Sequence, residues 1–300
     1  MSAWVWITIA AALAQTLRFM LQKQLAGGRL SAAGATYARF LYSAPLVALL
    51  VWVYLSMSGQ SVPATDARFW AFTLAGGLTQ ILATIAVVTL FSMRNFAVGI
   101  TLKKTEVMQT ALIGFILLGE VISLTGFIGI AIGFAGVLFL SKGSGRGLAL
   151  LRSGLDRTAL LGLLSGALFG VSGVAYRGAS LSLDSGDVAL RAAFTLACVT
   201  AAQMIAMTLW LLIRDRAQIG KVLASWRTSG LVGVTSMLGS LCWFTAFTLQ
   251  QAAYVNAVGQ IELVFSVMAS TLFFGETIRR REWIGMGLLA LSILVIVTGI

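Results

Sequence analysis

The sequence of 300 residues contains no histidine, only two cysteines and only two prolines. Without histidine, the chain lacks the commonest metal ligand and the commonest side chain that exchanges protons near neutral pH. Cys198 and Cys242 lie in apolar stretches without metal-ligand spacing, and two cysteines make no disulfide framework. We therefore interpret both as small packing residues and predict neither a metal centre nor any other cofactor.

Charge is also scarce, because charged residues make up 10% of the chain and hydrophobic residues 59%, with a mean hydropathy of +0.95. This composition excludes a soluble domain. Ten stretches reach the length of about 20 residues that crosses a bilayer core. Their continuous apolar runs lack the alternation of barrel strands, so we predict an all-α membrane protein with ten transmembrane helices. The predicted spans are 3–22, 33–55, 69–91, 96–117, 123–141, 158–177, 187–213, 228–249, 253–274 and 282–300.

Basic residues are unevenly distributed between the predicted connections. Fourteen lie in odd-numbered connections, whereas the even-numbered ones hold two, Arg68 and Arg177. This bias is the positive-inside signature, so we expect odd-numbered loops in the cytoplasm and both termini outside. The net charge of +11 then reflects topology in a bacterial-type inner membrane, and the lipid bilayer rather than nucleic acid is the expected partner. Residues 1–22 lack a basic amino-terminal region and are interpreted as a retained first helix.

The chain repeats itself. A shift of 156 residues places 77–139 on 233–295 without a gap, and 13 of the 63 positions are identical, including Glu106 with Glu262. We predict a first five-helix repeat over 1–141, a central loop over 142–157 and a second five-helix repeat over 158–300. Since five is odd, the second repeat enters the membrane from the opposite side, which is the inverted arrangement of many secondary transporters.

The fourth predicted span carries three ionisable residues. An ionisable group inside a bilayer costs roughly 3 kcal/mol, and such groups mostly face a bundle interior or a wet cavity. Lys103 and Glu106 are three residues apart, so they share a helix face and can pair. Thr110 extends that face, whereas Lys104 points about 100° away toward another neighbour. We predict that these four residues take part in substrate binding or coupling.

Five further candidates come from other spans. Arg39 and Arg191 occupy related positions in the second helix of each half, and Gln260 lies beside Glu262 in the ninth span. Trp243 lies in mid-span, where it either packs or lines a cavity. An internal ion-pair network is the competing interpretation, for example with Glu106 on Arg39 and Glu262 on Arg191.

The balance of charge within the spans favours an anionic substrate. Five basic groups against two acidic groups leave a formal excess of +3. The fifth basic group, Arg18, either joins the cavity or extends toward the cytoplasmic end of the first span. Proton coupling is a second hypothesis, and without histidine it requires Glu106 or Glu262.

Two structural expectations concern glutamates and glycines. Glu120 and Glu276 each follow a glycine and are expected to begin the next helix, where a carboxylate favours the dipole. Glycines recur at four-residue spacing, as in Gly162, Gly166 and Gly170, which predicts close helix packing within the bundle.

These motifs are similar to a known family. Leu118-Gly119-Glu120 followed by Phe127-Ile128-Gly129, and Phe274-Gly275-Glu276 followed by Trp283-Ile284-Gly285, resemble the EamA type of the drug/metabolite transporter (DMT) superfamily. The arginine in the second helix of each half resembles it too. The resemblance implies ten helices in two inverted repeats, with a central cavity lined mainly by helices one, three, four, six, eight and nine.

The chain departs from this family in three respects. Val107 and Leu263 stand where the family commonly has proline, which questions any proline-dependent bending of helices. The Lys103-Lys104 pair is not a general family feature and is interpreted as a mark of substrate choice. Relatives mostly have cytoplasmic termini, which opposes the orientation that the loop charges predict here.

The sequence therefore predicts a secondary transporter that moves a small metabolite by alternating access. We expect an exporter of amino acids or related organic anions, with protons as a candidate coupling ion; sugar phosphates and drug-like compounds are alternative substrates. An intramembrane enzyme and a channel are the rival classes, but the chain contains neither an H-E-x-x-H nor a G-x-S-x-G motif. An enzyme is therefore not expected, and the oligomeric state stays open.

Overall fold

The computed structural model describes residues 2–26, 30–90, 93, 102–140, 157–265, 267–268 and 280–299. All regular structure in these ranges is helical, as predicted. The helices are α1 (Ala3–Ala26), α2 (Ala32–Ser58), α3 (Ala67–Leu90), α4 (Glu106–Leu118), α5 (Leu124–Leu140), α6 (Arg157–Leu181), α7 (Val188–Arg214), α8 (Arg216–Ala224), α9 (Trp226–Leu249), α10 (Ala252–Gly259) and α11 (Arg280–Thr298).

Seven of these helices are long and apolar enough to cross a membrane, namely α1, α2, α3, α6, α7, α9 and α11. Three further apolar segments are shorter. They are α4 (Glu106–Leu118), α5 (Leu124–Leu140) and Ala252–Phe265, which contains α10. The prediction of a multi-pass helical membrane protein is confirmed, and seven predicted spans are found as full-length candidates. The fourth and ninth predicted spans extend into residues outside the described ranges.

The fourth and ninth predicted spans are interrupted, and the interruptions are equivalent. The chain leaves the helix at residues 104–105 and again at 260–261, positions related by the same shift of 156. At equivalent positions of the two breaks an amide bonds three residues back, Thr105 N to Leu102 O and Ile261 N to Val258 O, both at 3.1 Å. These bonds are of the i→i+3 kind that ends or interrupts an α-helix, and they form here without proline. Helix bending at this place therefore does not depend on the family's prolines.

Helices from the two parts of the chain pack against one another. α3 lies along α6, α1 along α9, and α5 along α11. α2 contacts both α7 and α9, while α4 is held between α6 and α10. The largest buried cluster lies among α1, α2, α4, α5, α6, α7, α9, α10 and α11, so helices from both ends of the chain share one core.

Glycines bring these helices close together, as their spacing predicts. A Cβ placed on Gly166 of α6 would lie 2.7 Å from the carbonyl oxygen of Lys103, next to the first interruption. One turn on, a Cβ on Gly170 would lie 2.9 Å from Thr110 Oγ1. Only a residue without a side chain allows the interrupted segment to approach α6 so closely.

Glu120 does not begin a helix, so the expected interaction with a helix dipole is wrong. Gly119 ends α4 in the left-handed conformation (φ 68°), and α5 begins five residues later at Leu124. The carboxylate of Glu120 instead pairs with the guanidinium of Arg177, which also donates to the carbonyl oxygen of Phe247 at 2.7 Å. Glu276 lies outside the described residues.

Two polar contacts join connections that are distant in sequence. Ser31 N, before α2, donates to Gln218 Oε1 of α8 at 3.0 Å. At the other end of α2, Tyr54 and Gln60 donate to Asp187 Oδ2 at 2.6 and 2.9 Å. These two hydrogen bonds, with further bonds from the α7 backbone, lower the pKa of Asp187 to about 2. The helix α8 itself was not predicted, because it is short and polar.

Candidate functional site

A cavity of about 610 Å³, including its open mouth, lies between the helices. Its walls come from α1, α2, α3, α6, α9, α10 and the two interrupted segments, which are residues 102–106 and 258–262. The resemblance implies a lining from predicted spans one, three, four, six, eight and nine, which correspond to α1, α3, α4 with the first interrupted segment, α6, α9 and α10. All of these line the cavity, and α2 is added. The polar residues of the lining are Gln15, Arg18, Arg39, Gln80, Lys103, Glu106, Ser172, Tyr176, Ser240, Asn256, Gln260 and Glu262, and the aromatic ones besides Tyr176 are Phe169, Trp243, Phe244 and Phe247.

Six of the nine predicted site residues line this cavity: Arg39, Lys103, Glu106, Trp243, Gln260 and Glu262. Lys104 lies directly behind the wall, and Thr110 lies one turn beyond Glu106. Arg191 is in the first turn of α7, partly buried and outside the lining. The related positions of Arg39 and Arg191 in sequence thus do not give them related places at the cavity.

Both helix interruptions place a carboxylate at the cavity. Glu106 and Glu262 follow the breaks directly, and each pairs with a lysine of the fourth predicted span. Lys103 Nζ lies 2.7 Å from Glu106 Oε2, which is the pair expected from their spacing. Lys104, which points the other way, pairs with Glu262. The suggested pairs of Glu106 with Arg39 and Glu262 with Arg191 are wrong, since the lysines occupy both carboxylates.

The pair of Lys104 with Glu262 connects the two interruptions to each other. The Lys104 side chain is 3% exposed and that of Glu262 is 14% exposed. Gln15 Nε2 of α1 also donates to Glu262 Oε2 at 2.8 Å. The contact of Lys104 with Glu262, 158 positions apart, joins the two interrupted segments, and the contact of Gln15 with Glu262 adds α1.

Arg39 is fixed in a neutral polar setting. Its Nε donates to Ser236 Oγ at 2.8 Å and its Nη2 donates to Ser240 Oγ at 3.2 Å. A longer contact of 3.4 Å reaches Gln80 Oε1. Arg39 is 3% exposed, and within the described residues no carboxylate forms an ion pair with it.

Arg18 is buried as well, with 4% of its surface exposed. It lines the cavity, which is the first of its two interpretations. Its Nη2 makes one long hydrogen bond of 3.4 Å to Gln15 Oε1, and its guanidinium lies 4.5 Å from the centre of the Phe19 ring. Among the residues that the structure describes, it too has no ion-paired carboxylate.

Thr110 has a structural place next to the cavity. Its hydroxyl donates to Glu106 O at 2.7 Å and accepts from Asn256 Nδ2 at 3.0 Å. Gln260 Nε2 in turn donates to Asn256 O at 3.2 Å. This short network joins α4 to α10, so Thr110 positions the polar wall from behind.

Aromatic rings form the apolar part of the cavity. Trp243 stacks on Phe247 with ring centres 5.6 Å apart, and Tyr176 stacks on Phe244 at 4.3 Å. Trp243 both packs and lines the cavity, which unites its two interpretations. Lys103 Nζ lies 4.8 Å from the centre of the Phe169 ring, a distance at which a cation is attracted to the ring face.

Several residues of the site were not found from the sequence. Gln80, Ser236, Ser240, Asn256 and Tyr176 are neutral, and neutral polar residues are common in membrane helices. One signal existed, because Ser236 and Ser240 are four residues apart and share a helix face. Across the described ranges, no group of three or more histidine, cysteine or acidic residues could hold a metal ion.

The comparisons with known proteins agree with this architecture. Residues 156–298 match the model of the EamA-like transporter family, which confirms the resemblance to the DMT superfamily. No curated protein matches the sequence. One solved structure, titled only as the crystal structure of a protein, has a TM-score of 0.73 and 15% sequence identity. The match covers 98% of this chain and 96% of that one, and at this identity it shows a shared fold alone.

Proposed function

From the premise that residues 156–298 belong to the EamA-like transporter family, we propose that the chain is a secondary transporter of a small organic anion. The observation that carries this proposal is the cavity at the two interrupted segments, with buried arginines that no carboxylate of the described residues neutralises. A buried charge without a partner is costly, so it is retained where a solute supplies the opposite charge. The leading substrates are amino acids and related organic anions.

Alternating access is proposed as the transport mechanism. Interrupted helices at a central site are typical of transporters, because the non-helical backbone lines a cavity rather than lipid. The packing supports two inverted five-helix repeats, over 1–141 and 158–300. In such a repeat α6 is the counterpart of α1, and α3 is the counterpart of α9. The packing of α1 on α9 and that of α6 on α3 are then equivalent contacts, and both are extensive.

The polar contacts between connections support the same topology. Ser31 and Gln218 lie in the first and seventh connections, while Gln60 and Asp187 lie in the second and sixth. Each contact joins two odd-numbered or two even-numbered connections, as a chain that crosses the membrane at every span requires. We propose the inner membrane as the location, with the basic odd-numbered side in the cytoplasm.

Export and proton coupling complete the proposal. Glu106 and Glu262 are the coupling candidates, since each carboxylate faces the cavity and is held by a lysine. Protonation of either carboxylate would release its lysine and increase the positive charge of the cavity. Binding of a proton is thereby linked to binding of an anion, so the two move in the same direction, and export proceeds where the outward substrate gradient exceeds the inward proton gradient.

Transport by purified full-length protein in proteoliposomes tests this proposal. Radiolabelled amino acids, organic anions and organic cations are compared, with and without a pH gradient. We expect saturable uptake of anions that competes with unlabelled anion and is reduced at least tenfold in Arg39→Gln. Strict preference for organic cations, or a conductance that does not saturate, would refute the proposal.

The coupling hypothesis has its own measurement. In Glu106→Gln and Glu262→Gln, uptake driven by a pH gradient is compared with exchange of labelled for unlabelled substrate. The coupling residue is expected to lose the first activity and keep the second. If both variants retain full stimulation by the gradient, protons are not coupled through these carboxylates.

A further inference from the structure

Resting on the proposed transport function, we infer that the substrate carries two negative charges close together, and that Arg18 and Arg39 bind this dianionic group jointly. Phosphate monoesters and short dicarboxylates share this chemistry. The inference depends on three observations: the charge balance of the cavity, the free donors of the two guanidinium groups, and their mutual repulsion.

The charge balance separates the lysines from the arginines. Four cations lie in or directly behind the cavity wall, Arg18, Arg39, Lys103 and Lys104, against the two carboxylates that follow the interruptions. The lysines pair with these carboxylates, so the formal excess of two positive charges belongs to the arginines. Arg191, the fifth basic group within the predicted spans, lies outside the lining and adds nothing to this balance.

Both arginines have buried donors that are not used within the described part of the chain. Arg39 Nη1 and Arg18 Nε are shielded from solvent and have no hydrogen-bond acceptor there. Both side chains are more than nine-tenths buried and both line the cavity. Buried donors are almost always satisfied in folded proteins, so these two require an acceptor that enters the cavity.

The two guanidinium groups line the same cavity, so their like charges repel each other. Proximity of like charges in a buried site is unfavourable unless an anion lies between them. A monoanion would neutralise one positive charge and leave the second buried without compensation. A dianion neutralises both, and its several oxygen atoms can accept from both planar forks at once.

Phenyl phosphate and phenyl sulfate provide a matched pair of probes. They have nearly the same size and shape, and the phenyl ring suits the aromatic wall. A phosphate monoester loses its second proton near pH 6, so at pH 8 it is a dianion, whereas the sulfate ester is a monoanion. Binding of each to purified full-length protein in detergent is measured by titration calorimetry at pH 8.

We expect phenyl phosphate to bind at least tenfold more tightly than phenyl sulfate, which corresponds to about 1.4 kcal/mol. The preference should fall to less than threefold in Arg18→Gln and in Arg39→Gln. Arg227→Gln removes the same charge from an exposed position at the start of α9 and should retain the preference. Arg39→Lys keeps the charge but loses the fork, so an intermediate preference is expected.

Equal affinity of the two probes for the wild-type protein would overturn the inference, and so would the absence of phenyl phosphate binding. These results are independent of variant folding, because they use the unchanged chain. A preference that persists in both arginine variants would also contradict it. Since binding is measured without a membrane, failure here leaves the transport assay with monoanions as a separate test of the proposed function.

Discussion

Removing one partner of the pair between Lys104 and Glu262 should destabilise the protein more than removing both. The single changes are Lys104→Met and Glu262→Gln, and the third variant combines them. Each replacement keeps the approximate size of the side chain, so packing changes little. The comparison therefore reports on charge.

The structure sets the magnitude and the order of the effects. Breaking a buried ion pair costs about 3–5 kcal/mol, because the remaining charge is left without compensation. Glu262→Gln strands Lys104, which is 3% exposed, so we expect a loss of about 3 kcal/mol. Lys104→Met leaves a carboxylate that is 14% exposed and still accepts from Gln15, so about 2 kcal/mol is expected. The double variant should lose only about 1–2 kcal/mol, giving a coupling energy of about 3–4 kcal/mol.

Unfolding of purified protein in mixed micelles with increasing SDS gives these free energies. The eight tryptophans of the chain provide the fluorescence signal. The neighbouring pair of Lys103 with Glu106 is the matched comparison, because it has similar burial but lies within one segment. Its double-mutant cycle measures the coupling energy of an ion pair that does not join the two interruptions.

Additive losses would refute the reasoning. If the double variant loses the sum of the two single losses, the ion pair does not stabilise the contact between the interrupted segments. A double variant less stable than either single variant would contradict the expected order of the three losses. Coupling in the Lys103 pair alone would place the electrostatic stabilisation within one segment instead of between the two.

Three further predictions concern packing, pH and geometry. Gly166→Ala should destabilise by about 1–3 kcal/mol in the same unfolding assay, because its Cβ would lie 2.7 Å from Lys103 O. Lowering the pH from 4 to 2 should lower the melting temperature of the wild type more than that of Asp187→Asn. The Asp187 pKa of about 2 lies below its usual 3.8, so its stabilisation is complete above pH 4 and is lost toward pH 2. Arg177→Lys should destabilise by about 1–2 kcal/mol, because a lysine cannot bond a carboxylate and a carbonyl in the same fork geometry.

Each of these predictions has a control or a contrary result. Gly230→Ala is the matched control for the glycine, since nothing lies within 4 Å of its added Cβ, and it should be neutral or stabilising. Equal pH profiles for wild type and Asp187→Asn would show that the cap does not link α2 to α7. Full stability of Arg177→Lys would mean that charge alone is sufficient at that position.

The extent of the helices could be predicted because burial in lipid requires long, continuous apolar runs. Hence α2, α3, α6, α7, α9 and α11 begin and end within about four residues of their predicted spans. The interruptions at 104–105 and 260–261 could not, since hydropathy does not distinguish a helix from a tight turn of the same composition. Their equivalence under the 156-residue shift becomes visible only in the backbone hydrogen bonds.

The sequence predicted the residues of the candidate site better than it predicted the contacts between them. Charges inside apolar spans are conspicuous, so Lys103, Lys104, Glu106 and Glu262 were found from the sequence. Their pairing was predicted correctly only for Lys103 and Glu106, which are neighbours on one helix face. The partner of Glu262 lies 158 positions away, and its choice depends on how α4 and α10 approach each other.

The interrupted segments match in backbone but differ in side chains, and this has an energetic consequence. Lys104 in the first break corresponds to Gln260 in the second, and Thr105 corresponds to Ile261. Under the proposed mechanism, the halves exchange roles when the cavity changes the side to which it opens. A cation in one half and an amide in the other make the two end states unequal in energy, even at zero gradient. The empty protein should thus rest facing one compartment, and the pair of Lys104 with Gln260 contributes to the ratio between the two forms.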